Sequence, residues 1–173
     1  MNVIKLIIFI RNLFDLINKS SGYICAFLVC LMTLNVFLVV LLRYLFGISY
    51  IWMQETYVWM HAFIFMLGSG FTYLMNEHVR IDIFYRDASK KYKKFVNLVG
   101  NLFFLIPFLF LIYSYSFPFV YKSFMMAEVS REAGGLGMIF ILKSSILIFV
   151  ILLTLQVISK IITDFFENTS DDS

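Results

Sequence analysis

Four apolar runs nearly free of charge recur along the chain, at 20–42, 56–75, 95–121 and 138–159, with short polar intervals between them. A helix rises 1.5 Å per residue, so a run of roughly 20 apolar residues crosses the hydrocarbon core of a bilayer. Backbone groups in lipid must be paired within their own segment, so the pattern predicts an all-α integral membrane protein with four transmembrane helices. Ahead of the first run the periodicity changes. On a helical wheel Arg11, Asn12, Asp15, Asn18 and Lys19 fall within about 120° of arc, with Leu6, Phe9, Ile10, Leu13, Leu16 and Ile17 opposite them. Ile4 and Ile8 interrupt the polar stripe, yet residues 3–18 still predict an N-terminal amphipathic helix lying in the membrane interface. The alternative is a plain extension of the first span. A signal peptide fits less well, because Lys5 and Arg11 break the apolar stretch and no small-residue cleavage site follows.

Composition supports this reading: 61% of residues are hydrophobic and 14% charged, and the mean hydropathy is +0.88. The polar intervals are too short for an independent core, so residues 1–173 are expected to form a single four-helix membrane domain. The net charge is +3, and its distribution is more telling than its size. Lys5, Arg11, Lys19, Arg80, Arg86, Lys90, Lys91, Lys93, Lys94 and Lys160 lie on one side of the expected spans, against Arg43, Lys122, Arg131 and Lys143 on the other. The positive-inside rule then places both termini and the 76–94 loop in the cytoplasm and the loops around 43–55 and 122–137 outside.

Enzyme chemistry finds little to stand on. His61 and His78 are seventeen residues apart, roughly 25 Å along one helix, so they cannot ligate a single haem. Cys25 and Cys30 lie about 140° apart on the first span and cannot bridge each other; they read as lipid-facing or packing residues. The intervals between spans carry no metal cluster, no nucleophile with a base and no phosphate loop, so neither a cofactor nor a nucleic-acid partner is expected. No carboxylate falls within the four runs. Pro107 and Pro118 predict a bent third span, since each removes a backbone donor. In the second span His61, Phe65, Gly68 and Thr72 recur at helical spacing, and Gly68-Ser69-Gly70 permits close approach of another helix.

The remaining polar residues collect at the membrane edges. Arg43-Tyr44-Leu45-Phe46 ends the first span; Trp52-Met53-Gln54-Glu55 opens the second, with Trp52, Glu55 and Trp59 on one face at interfacial depth. Arg43 and Glu55 stand at the same boundary and are expected to pair, directly or through a partner. At the other end of the second span comes His78-Val79-Arg80-Ile81-Asp82. Their order resembles the small membrane subunit of TRAP transporters, the tripartite ATP-independent periplasmic importers. Glu132-Ala133-Gly134-Gly135-Leu136, Lys143 and Leu155-Gln156 are similar to a variant within that family, whereas Gln54 stands where many members have a glutamate.

The resemblance implies a non-enzymatic accessory subunit in a bacterial inner membrane. It would pack against the static scaffold of a larger, elevator-type membrane subunit that carries the solute and sodium sites, while a periplasmic solute-binding protein delivers an organic acid. On this reading Arg43, Tyr44, Trp52, Glu55, Trp59, His61, Gly68, His78, Asp82, Gly134, Gly135 and Lys143 meet a partner or the lipid interface. The rival reading is a four-helix membrane anchor of a respiratory oxidoreductase.

Overall fold

The computed structural model describes residues 3–78 and 89–171. Among the described residues the chain is helical with no strand: α1 Val3–Phe46, α2 Ile51–Leu74, α3 Lys90–Val99, a π-helical segment Gly100–Leu105, α4 Ile106–Met125 and α5 Ile139–Asp171. The expected interfacial helix and first span prove to be one uninterrupted helix of 44 residues. It runs unbroken through Lys19, Ser20, Ser21 and Gly22, where Ser20 and Ser21 turn their hydroxyls back onto the Leu16 and Asn18 carbonyls. At 1.5 Å per residue α1 is about 66 Å long, roughly twice the thickness of a hydrocarbon core.

Among the described residues three helical stretches, Lys5–Phe46, Lys91–Met125 and Ile139–Asp164, are long and apolar enough to cross a membrane. By length and composition these are one fewer than the four spans expected. The 56–75 run does form a helix, but α2 is not among the three. Gln54, Glu55, His61, Ser69 and two glycines dilute its apolar content.

Helix α5 sits at the centre, packed against α1, α2 and α4, and α1 lies along α2. Leu109, Val150 and Leu153 form the apolar core between α4 and α5, joined by Tyr73, Leu105, Ile112 and Phe149. The helix expected to bend at its prolines has a different device. Pro107 cannot donate to the carbonyl four residues back, and the chain widens just before it into the π-helical segment, where the Ile106 amide donates to the Asn101 carbonyl. Pro118 stays inside α4. Short connections at 47–50 and 126–138 close one end of the bundle, called here the loop end. The other end holds the start of α1 and the end of α5.

Candidate functional site

Several of the deepest side chains of this apolar protein are polar. Asn18 has 0% exposure, and Ser21, Gln156 and Ser159 are buried with it. Asn18 lies on α1 one turn after Asp15, and Leu152, Gln156 and Ser159 follow one another at helical spacing along α5. Asp15 Oδ1 accepts hydrogen bonds from Gln156 Nε2 at 3.0 Å and Ser159 Oγ at 2.6 Å. Asn18 Nδ2 donates to the Phe14 carbonyl at 3.1 Å and to the Leu152 carbonyl at 3.3 Å. Its Oδ1 presses on Gly70, filling the space a β-carbon there would need. A polar layer therefore locks α1, α2 and α5 together near the terminal end.

A second layer lies beside the π-helical segment. Tyr73 donates to Asn101 Oδ1 at 2.6 Å, its ring meets that of His78 at 5.7 Å, and His78 Nε2 reaches the Ser69 carbonyl at 3.2 Å.

At the loop end two carboxylates tie down the connection between α4 and α5. Glu55, just past the first turn of α2, accepts from the Ser130 hydroxyl and from the Leu136 amide at 2.5 Å. The same loop closes on itself where the Ser130 amide donates to the Leu136 carbonyl at 2.9 Å. Gly134 turns the chain with φ of 80°, and Gly135 passes so close that a β-carbon would lie 2.7 Å from Glu55 Oε1. Glu128 accepts from Lys143 Nζ at 2.5 Å and from Ser123 Oγ at 2.6 Å, and Lys143 stands 4.1 Å from the centre of the Phe119 ring. The Lys143 ammonium, then the Ser123 hydroxyl, holds the Glu128 carboxyl below the usual carboxylate range. The Ser130 hydroxyl, followed by the Leu136 amide, does the same for Glu55.

These placements correct several expectations. Glu55 does not pair with Arg43; its partners come from the 126–138 loop, and Arg43 is exposed near the end of α1. Asp15 and Asn18, expected on a face turned to the interface, point into the bundle, while Arg11 donates to its neighbour Asn12. The expected seam along α2 is split. Gly68 lies 3.7 Å (from its would-be β-carbon) from Cys25, and Thr72 bonds back to the Gly68 carbonyl, but His61 and Phe65 are exposed. Of the cysteines, Cys25 is buried with its thiol 3.5 Å from the Ile64 carbonyl, and Cys30 is exposed.

Tyr44 and Trp52 are exposed, Trp52 beside Tyr50 with ring centres 6.2 Å apart, and Trp59 is half-buried. Gly134, Gly135 and Lys143 belong to the loop-end ties described above. Asp82 lies outside the described residues. Among the described residues no group of three His, Cys, Asp or Glu side chains could hold a metal ion.

Sequence reasoning missed Asp15, Asn18 and Ser159 as packing residues, and Ser130 and Glu128 as loop ties. For the first set a signal existed. Polar residues three apart in α1 face polar residues three apart in α5, and such pairs in apolar helices seek each other.

Outside these ties the surface is a wall of large apolar side chains. Phe27, Leu34 and Phe37 on α1 and Phe103, Phe110 and Tyr115 on α4 are exposed, and none of the most apolar stretch of α1 is buried within the chain.

A C4-dicarboxylate TRAP transporter small permease protein, DctQ, from Vibrio cholerae serotype O1 is 31% identical over 83 residues, 48% of this chain and 36% of that relative. The matched segment thus spans about a third of the relative's length. No solved structure matches the chain. The family model for tripartite ATP-independent periplasmic transporters, DctQ component, matches residues 32–167, from the middle of α1 to the end region of α5. That match covers the loop-end ties and most of the helical bundle, and with it the chain belongs to the DctQ family, the small permease component of TRAP transporters.

Proposed function

We propose that this chain is the scaffold subunit of a sodium-coupled importer of organic acids in the bacterial inner membrane. It packs, as one unit with both termini cytoplasmic, against a larger elevator-type membrane subunit, and a periplasmic solute-binding protein delivers the solute. On this reading α2 is the fourth span, carried through the bilayer by its contacts with α1 and α5. Arg43, Trp52, Trp59, His78 and Asp82 meet partner helices or lipid headgroups at the two membrane faces.

The observation that carries the proposal is the division of the side chains. Asp15, Asn18, Gln156 and Ser159 hold the chain's own helices together, and Glu55 and Glu128 hold its own loop. The outward surface is apolar and aromatic. Coupled transporters build ion and solute sites from carboxylates, hydroxyls and unwound helix centres that line a pathway, and this arrangement is instead that of a packing element.

The test is co-expression with the large membrane subunit and the binding protein, followed by purification and uptake in proteoliposomes. The large subunit co-purifies, uptake requires both membrane subunits, and haem absorbance is absent. Substitutions at Trp52, Trp59 and His78 change the yield of complex or the maximal rate and leave apparent affinities for solute and sodium unchanged. A variant with intact assembly but altered sodium dependence or solute preference would overturn the scaffold reading.

A further inference from the structure

Helix α3 is short and basic, and the bundle's packing does not account for it. It opens with Lys90-Lys91-Tyr92-Lys93-Lys94, and the Ser89 hydroxyl caps it by accepting from the Tyr92 amide at 3.3 Å. Lysines in the first turn of a helix work against its dipole, so helix stability is no reason for them. Across residues 76–94 six basic residues face only Glu77, Asp82 and Asp87, so pairing within the segment still leaves positive charge in excess.

The two sides of α3 are buried the wrong way round for a helix docked on its own protein. At 100° per residue Tyr92, Phe95, Val96 and Val99 fall within about 100° of arc, and Lys93, Lys94 and Asn97 lie opposite. Lys93, Lys94 and Asn97 are half-buried, whereas Tyr92, Phe95 and Val96 are exposed, Phe95 at 63%. Among the described elements the main neighbour of α3 is the π-helical segment that continues it.

Depth limits what can meet this side. The stretch Lys91–Met125 has 35 residues, about 52 Å of helix, against roughly 30 Å of hydrocarbon. Counted inward from Tyr121 near the loop end, roughly 20 residues use up the core and end at Asn101, where the bond from Tyr73 marks a polar level shared with α2. Helix α3 lies beyond that level, in the headgroup zone.

We propose that α3 is a surface-seated helix that binds anionic lipid headgroups of the inner leaflet. Tyr92, Phe95 and Val96 enter the acyl boundary, and Lys91, Lys93 and Lys94 extend their stems to the phosphates. Charge selects this occupant. A helix of the larger subunit would cover the aromatic side equally well, but would leave the surplus of lysines beside it without a role. Which leaflet is used rests on the cytoplasmic placement proposed above; contact with anionic lipid does not.

For the test, the full chain is reconstituted in vesicles of phosphatidylcholine and phosphatidylglycerol in equal parts. It is extracted in mild detergent at about 0.05 or 0.5 M salt, and the lipid it retains is identified by mass spectrometry. The wild type should retain phosphatidylglycerol preferentially at low salt and lose that preference at high salt. A lysine near a charged surface is worth about fivefold, so Lys91→Gln should lower the preference by up to that factor, and Lys91→Gln, Lys93→Gln and Lys94→Gln together should abolish it. Lys91 is exposed, so the single variant should keep the wild-type melting temperature, which separates lost binding from lost folding. Lys122→Gln with Arg131→Gln, at the loop end, should retain the preference. In cells that co-express the larger subunit, a photo-crosslinking residue at position 95 should give lipid adducts. Equal retention of the two lipids by the wild type, a preference that high salt or the triple variant leaves intact, or a protein adduct from position 95 would overturn the inference. Thiol labelling opposite to that expected at positions 89 and 137 would instead overturn the cytoplasmic placement and move the contact to the outer leaflet.

Discussion

Gly70→Ala is the sharpest perturbation of the polar layer. A β-carbon at Gly70 would occupy the position of Asn18 Oδ1 and would lie 3.2 Å from the Leu152 carbonyl oxygen. The backbone oxygen cannot move far, so the Asn18 amide must swing away. Asn18 is fully buried, and the swing breaks its bonds to the Phe14 and Leu152 carbonyls. Overpacking of this kind costs about 1–3 kcal/mol, and hydrogen bonds between membrane helices average about 0.6 kcal/mol each. Alanine's better helix propensity returns up to about 1 kcal/mol. The net expectation is a loss of about 1–3 kcal/mol, read as a clear downward shift in the temperature at which the detergent-solubilised protein loses its monodisperse chromatographic peak. Gly100→Ala is the control, since nothing lies within 4 Å of its would-be β-carbon. Asn18→Ala added to Gly70→Ala should recover much of the loss by vacating the contested space, giving a coupling energy of opposite sign to the single effects. Wild-type stability in Gly70→Ala, or a double variant no better than Gly70→Ala alone, would refute the interlock.

Three further outcomes are expected. Glu128 has its pKa depressed in the fold, so its ion pair with Lys143 contributes above the ordinary carboxylate value of about 4.3 and fades as pH falls through the lower folded value; Glu128→Gln should therefore melt earlier than wild type at neutral pH, with the gap closing below about pH 4. Glu55→Ala should speed hydrogen exchange at the Leu136 and Ser130 amides, measured by mass spectrometry, while Arg43→Gln leaves both unchanged; equal protection in Glu55→Ala would show that the loop holds itself. For the proposed topology, a cysteine at Gly137, where added side-chain atoms meet nothing within 4 Å, should react with an impermeant thiol reagent in intact cells lacking Cys25 and Cys30, and one at Ser89 should not. The reverse labelling would invert the orientation.

The sequence by itself determined the helical, membrane-embedded class and where the apolar stretch of each long helix lies. Long uncharged runs have one stable form in hydrocarbon, and that constraint is local. The order of its edge motifs, through the family resemblance they carry, also marked Glu55, Lys143 and the Gly134-Gly135 pair. Tertiary structure decided what those groups do. Periodicity shows that Asp15 and Asn18 share a face but not what that face meets: in a membrane a polar stripe can turn to headgroups or inward to polar positions on another helix, and Gln156 and Ser159, some 140 residues away, settle it. The absence of a break after residue 18 is likewise a matter of packing against α2 and α5, since the residues at the junction allow either course. Glu55 took its partners from a distant loop rather than from Arg43 nearby in sequence. Positive φ angles at Ala127, Gly134 and Met138 fold that loop back over α2, and backbone reversals of this kind depend on the contacts they permit.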